Sequence, residues 1–234
     1  IASRALELLH EAGVPTNVVH LLAGEGAIVG DAIIRDPRIA GVAFTGSTST
    51  AININRALAA RNSAIAPLIA ETGGQNAMII DSTALPEQAV QDIVTSAFKS
   101  TGQRCSALRV VYIQQDIAPR MLELLKGVMA ELTLGDPSLP ETDIGPVIDQ
   151  SAKLRLLEHI EAMRKKASLI YETPKPDSHD RDCFVAPIAF KIDSMSQLER
   201  EHFGPVLHVI IYKSKELNKV IAQINDSGYG LTLA

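Results

Sequence analysis

Apolar residues recur along this chain in two periods, one helical and one strand-like, and the two alternate. Ala2, Ala5, Leu6 and Leu9 share one face of a helix predicted over residues 3–12, closed by Gly13-Val14-Pro15, a glycine C-cap with proline just beyond. Residues 18–22 are short, apolar and partly β-branched, which predicts a strand, and Gly24-Glu25-Gly26 turns it into a helix over 27–36. Residues 38–44 return as a strand ending at Thr45-Gly46-Ser47, and a helix over 48–60 follows. Pro67-Leu68-Ile69-Ala70 is a further apolar run, with Glu71-Thr72-Gly73-Gly74 at its end. Strand and helix in alternation predict an α/β fold with a parallel, doubly wound sheet, whose ligands sit at the carboxyl ends of strands.

A second αβ unit follows. The pattern predicts a strand over 76–80, a turn at Asp81-Ser82-Thr83, and an amphipathic helix over 87–99 carrying Ala89, Ile93, Val94, Ala97 and Phe98 on one face. Gly102 ends that helix, a strand starts at Val110 and runs to Ile113, and a helix covers 118–132. Residues 143–148 read as a loop punctuated by glycine and proline. A helix over 151–167 is expected to bury Leu154, Leu157, Ile160 and Met163. The polar stretch 172–182 reads as a surface excursion, followed by strands over 184–188 and 206–212 and a helix over 215–224 that ends at 225–228. The natural division is 1–70 and 71–234.

Composition narrows the classes. With 234 residues, 46% hydrophobic and 21% charged, the chain is an ordinary globular sequence able to bury one sizeable core or two smaller ones. A net charge of −5 without a Lys/Arg cluster disfavours nucleic-acid binding. No apolar run is long enough to span a bilayer, and no signal segment opens the chain. The two cysteines, Cys105 and Cys183, are expected reduced in a cytoplasmic setting, with Cys183 structural. Both ends lie inside predicted elements, so the chain reads as an internal fragment of a longer protein.

The candidate chemistry centres on Thr101-Gly102-Gln103-Arg104-Cys105-Ser106-Ala107-Leu108-Arg109. The thiolate is the nucleophilic form of cysteine, and cationic neighbours or exposed backbone N–H groups favour it. Cys105 lies in the predicted turn between helix and strand, where a nucleophile is accessible; the competing reading is an inert, buried cysteine. Glu71, at a strand end beside two glycines, can be presented to a cavity and serve as a general base. Gly46-Ser47-Thr48 opens a helix whose N–H groups favour a phosphate, or is simply a hydroxyl N-cap. No Gly-X-Gly-X-X-Gly fingerprint is present. A cysteine hydrolase would need a histidine base, and the six histidines (10, 20, 159, 179, 202 and 208) stand in unrelated local contexts. No zinc-type ligand spacing appears.

Taken in order, Phe44-Thr45-Gly46-Ser47, Glu71-Thr72-Gly73-Gly74, Gly102-Gln103-Arg104-Cys105 and Glu201-His202-Phe203-Gly204-Pro205 resemble the signatures of the aldehyde dehydrogenase superfamily. Ala51 departs from that pattern, since many members carry glycine there. The wording of residues 70–78, 100–110, 143–149 and 227–232 is similar to the glutamate-semialdehyde dehydrogenase part of bacterial bifunctional proline-utilisation flavoproteins. The resemblance covers the whole chain. It implies part of a Rossmann-type cofactor lobe over 1–70, a catalytic lobe over 71–234, Cys105 as nucleophile and Glu71 as base for thioester hydrolysis. It further implies NAD as cofactor, contacted by Gly46, Ser47, Glu201 and Phe203, with Ser106 contributing to the aldehyde pocket. Glu201 would hold the nicotinamide ribose. FAD is expected only in a separate proline dehydrogenase domain of a homo-oligomeric parent. The oxyanion asparagine and adenosine-ribose lysine of the family lie outside residues 1–234, so the isolated fragment is expected to be inactive.

Overall fold

A computed structural model describes residues 1–174 and 183–234. The expected excursion over 172–182 therefore falls, from residue 175 onward, outside the described residues, as does His179. The chain divides into two compact units, Ile1–Thr72 and Gly73–Ala234.

The first unit opens with α1 (Ala2–Glu11) and reaches a five-residue π-turn, Gly26–Gly30, that passes directly into the short helix α2 (Asp31–Arg35). Strand β1 (Val42–Gly46), helix α3 (Thr48–Ala59) and strand β2 (Leu68–Thr72) complete it as a parallel βαβ unit. Ala51, Ile54 and Leu58, spaced three and four apart, are the buried face of α3. Residues 18–22 do not form the expected strand. The described part of this sheet contains only β1 and β2, and Val18, Leu21 and Leu22 are exposed. An apolar run becomes a strand only where its N–H and C=O groups find a ladder. The next strand also begins later than expected, at Val42. Asp36 accepts hydrogen bonds at 2.9 Å from both the Arg38 N–H and Arg38 Nε, locking residues 36–38 into a turn.

The second unit is a five-stranded sheet in the order β3-β4-β7-β6-β5. Strands β3 (Ala77–Ile80), β4 (Val110–Gln114), β6 (Ile188–Lys191) and β7 (Val206–Tyr212) are parallel, and β5 (Ser168–Glu172) runs antiparallel along the β6 edge. Every residue of β4 is buried, as expected for a strand covered on both faces. Val111 and Ile113 pack with α4 (Pro86–Phe98) and α5 (Ala118–Ala130), through Ile93, Phe98, Met121 and Leu125. Val110 and Tyr112 pack on the other face, with Leu156, Ile160 and Met163 of α6 (Gln150–Lys166) and Val220 of α7 (Leu217–Asp226). Asp149 caps α6 by accepting from the Ala152 N–H at 2.6 Å, and Arg164, Lys165 and Lys166 complement its carboxyl end.

Three expectations shift here. The apolar face of α6 is carried by Ala152, Leu156, Ile160 and Met163, while Leu154 is exposed and Leu157 partly so. Strand β6 starts at Ile188 rather than 184, directly after Pro187, which has no N–H to give to a ladder. Strand β5 has no forerunner in the sequence reading. It is an edge strand with a register shift between Leu169 and Tyr171, so its periodicity is broken.

Candidate active site

In the first unit, the register of β1 with β2 sets Thr45 opposite Glu71 and Gly46 opposite Thr72. The Gly46-Ser47 turn and the Glu71 carboxylate thus leave the sheet side by side, at the carboxyl ends of its strands. Glu71 is exposed. Ser47 caps α3, its Oγ accepting from the Thr50 N–H at 3.2 Å and lying 2.8 Å from Thr50 Oγ1. The hydroxyl is committed to the helix, and what α3 offers a ligand is the remaining N–H groups of its first turn.

In the second unit the candidate residues gather at the opposite, amino ends of the strands, in the loops that enter β3, β4 and β7. The chain leaves α4 through Ser100, Thr101 and Gly102, all with φ between 57° and 64°. This is a left-handed turn that costs the two non-glycine residues roughly 1–2 kcal/mol each. Thr101 is held there by its Oγ1 donating to the Gly145 carbonyl at 3.0 Å. Gly102 admits no side chain: a Cβ would lie 2.6 Å from the Gly204 carbonyl carbon and 2.8 Å from the Ala97 oxygen. The Gln103 amide donates to the Pro146 carbonyl at 3.3 Å and accepts from the Ile148 N–H at 2.8 Å. These bonds make the loop over 143–148 a buttress of the cysteine loop. Cys105 and Ser106 follow, both exposed, and the buried Asn76 amide donates to the Cys105 and Ala107 carbonyls at 2.7 and 2.9 Å. Cys105 is a free thiol, as is the half-buried Cys183.

Arg109 joins this loop to the one that enters β7. Its Nη1 donates to the Gly102 and Gly204 carbonyls at 2.7 and 3.1 Å. Its Nη2 donates to the Arg104 carbonyl at 3.2 Å and to Glu201 Oε1 at 3.0 Å, and its Nε reaches the same oxygen at 3.3 Å. Burial pulls the guanidinium below its ordinary value, and the Glu201 carboxylate opposes that pull. The Phe203 ring lies 5.3 Å from the guanidinium carbon, a cation–π contact. Glu201 Oε2 packs over Gly73, where a Cβ would fall 2.7 Å from Glu201 Cδ. Arg104 donates to the Thr95 carbonyl at 3.3 Å, so both arginines that flank the cysteine have partners of their own.

Comparison with known proteins gives the family. The aldehyde dehydrogenase family profile matches residues 1–234. This chain belongs to the aldehyde dehydrogenase family. It is 49% identical over 241 aligned positions to the bifunctional protein PutA of Klebsiella aerogenes, covering 100% of this chain and 18% of PutA. A crystal structure of a Bradyrhizobium japonicum proline utilization A (PutA) mutant superposes with a TM-score of 0.95 at 53% identity, over 100% of this chain and 24% of that one. The 1-pyrroline-5-carboxylate dehydrogenase from Thermus with bound NAD gives a TM-score of 0.90 at 31% identity, over 99% of this chain and 45% of its own. This aldehyde dehydrogenase chain thus spans about a fifth of the bifunctional relatives it matches.

The family signatures do not announce three histidines that the fold brings together, which corrects the expectation of unrelated contexts. His208 Nδ1 lies 3.1 Å from the Arg109 carbonyl and can only donate to it, so its Nε2 is the acceptor. His159 Nε2, 3.0 Å away, must then be the donor, and His202 stacks on His159 at 3.4 Å between ring centroids. Burial lowers all three imidazoles, His202 to about 4 and His208 to about 3, and keeps them neutral near pH 7. Sequence reasoning had no signal for this cluster, nor for the roles of Asn76 and Arg109. A cavity of about 320 Å³ between α6 and β5 is lined by Lys153, Arg164 and Phe184 among others, and by none of the candidate site residues. Among the described residues no cluster of histidine, cysteine and carboxylate side chains could hold a metal ion, and no helix is long and apolar enough to cross a membrane.

Proposed function

We propose that the protein containing this chain oxidises glutamate semialdehyde, the open form of 1-pyrroline-5-carboxylate, to glutamate with NAD as hydride acceptor. The observation that carries the reading is an exposed Cys105 on a loop whose backbone is fixed by Asn76, Gln103 and Arg109. Such a loop can present a thiol while holding its main chain still. The names of the relatives, PutA and 1-pyrroline-5-carboxylate dehydrogenase, supply the substrate class.

Cys105 thiolate adds to the aldehyde carbon, forming a C–S bond and an oxyanion that needs N–H donors. NAD, when bound, would supply the acceptor for the hydride that leaves this carbon as the oxyanion collapses to a thioester. Glu71 takes a proton from water as the water adds to the thioester, and collapse of that adduct releases the acid and regenerates the thiolate. Gly46, Ser47 and the start of α3 would receive the cofactor's phosphate charge, Glu201 would hold the nicotinamide ribose, and Phe203 would pack near the nicotinamide ring. Two observations fit that role: the open N–H groups at α3, and a Glu201 oxygen presented above the side-chain-free Gly73. Ser106, exposed beside Cys105, would line the aldehyde pocket. By the same reading FAD belongs to a separate proline dehydrogenase domain of a cytoplasmic, homo-oligomeric parent and not to this chain.

The test is steady-state oxidation by the full-length protein, with NAD or NADP, of glutamate semialdehyde beside propanal and hexanal. A kcat/KM at least tenfold higher for the semialdehyde with NAD is expected. Equal values would overturn the substrate, and no reduction of either cofactor would overturn the dehydrogenase reading.

A further inference from the structure

We propose that Arg109 is a positioning residue that couples the cysteine loop to the Glu201 loop, so that one guanidinium sets the geometry of both the thiol and the carboxylate. The proposal deepens the function above, since it rests on Cys105 and Glu201 having the roles assigned there.

A guanidinium carries five N–H donors in a fixed plane. All five of Arg109 are used: two on Glu201 Oε1, and one each on the carbonyls of Gly102, Arg104 and Gly204. Gly102 and Arg104 bracket the approach to Cys105, while Glu201 and Gly204 bracket Phe203, which stacks on the same guanidinium. The group is itself anchored. Arg109 is 2% exposed, its N–H donates to the Asn76 carbonyl at 3.0 Å, and its carbonyl accepts from the His208 N–H at 2.9 Å. Lysine cannot replace it, because three donors on a point charge cannot span three carbonyls and a carboxylate. The two loops meet directly as well, since a Cβ on Gly102 would strike the Gly204 backbone. A displacement of Glu201 is therefore transmitted through the guanidinium to the carbonyls that shape the cysteine loop. A pair that merely neutralised charge would contribute to stability without making the thiol responsive to Glu201.

The experiment measures the rate of Cys105 alkylation by iodoacetamide in the ligand-free, full-length protein, by mass spectrometry of that residue, together with NAD affinity by calorimetry. Glu201→Gln keeps the shape and removes the charge. It is expected to change the alkylation rate by roughly threefold or more, although Glu201 lies outside the cysteine loop. Arg109→Lys should change that rate and weaken NAD binding together, and the double variant should alkylate no differently from Arg109→Lys alone. Ile113→Val, a core change further along β4, should lower the melting temperature and leave both readouts in place. Unchanged alkylation in Glu201→Gln, or independent multiplying effects in the double variant, would overturn the coupling. If Arg109→Lys does not fold, the Glu201→Gln result alone decides. Alkylation requires neither aldehyde nor NAD, so failure of the semialdehyde assay and failure of the coupling are separate results.

Discussion

Substituting Gly73 by alanine should weaken NAD binding while sparing the fold. The backbone of Gly73 does not lie in the left-handed region, so alanine is tolerated there conformationally. The obstacle is the Glu201 carboxyl group: the new Cβ would stand 2.7 Å from Cδ and inside the radius of Oε2. Carbon atoms rest at about 3.5–4.0 Å, and Oε2 lies closer to the new Cβ than Cδ does, so the carboxyl group must retreat by at least about 1 Å. Its bonds from Arg109, at 3.0 and 3.3 Å, would stretch beyond hydrogen-bond range in that retreat. Hydrogen bonds to a charged group contribute about 1.5–3 kcal/mol, so a carboxylate displaced from the nicotinamide ribose should weaken NAD by roughly 10- to 140-fold. Isothermal titration with NAD checks the affinity, and a urea melt checks the fold. An NAD affinity within twofold of the parent, in a protein of parental stability, would refute the assignment of Glu201 to the cofactor. Gly102→Ala is the contrasting case. There the new Cβ meets backbone that cannot turn aside, and φ is +64°, so the cysteine loop itself should be lost.

Three further outcomes are expected. Cys105→Ala should abolish aldehyde oxidation while Cys183→Ala retains most of it, read as NADH production; an active Cys105→Ala protein would end the thiohemiacetal mechanism. Glu71→Gln should stall the acyl-enzyme, giving a burst of NADH followed by slow turnover in rapid mixing, whereas a slowed first turnover without a burst would move Glu71 to an earlier step. Acid should destabilise the fold through the histidine cluster. The three folded imidazoles titrate well below the unfolded value of about 6.5, so the unfolded state binds more protons below that pH and stability falls as pH falls toward 4. Each histidine steepens that fall by at most about 1.4 kcal/mol per pH unit, with no contribution above the unfolded value. His159→Gln removes one of the three and should make urea stability between neutral pH and about pH 5 visibly less steep. An unchanged slope would show that the cluster does not carry the effect.

The sequence by itself determined the elements whose signals are local. Helix α4 announces itself by apolar spacing, β7 by an apolar run interrupted only by His208, and α3 by the Ser47 cap. Cys105 and Glu71 stand out as candidates for the same reason, since each lies within three residues of a glycine at a predicted element end. Tertiary structure decided what depends on partners. Residues 18–22 have strand-like composition and no ladder, and α6 buries Leu156 while exposing Leu154 because the sheet meets that face of the helix. The ties that shape the site are longer still. Arg109 reaches Glu201 across 92 positions and Gly204 across 95, and His159 reaches His208 across 49. Periodicity and capping report a few neighbouring residues, whereas a buried guanidinium is specified by carbonyls and a carboxylate that only the folded chain brings within 3.3 Å.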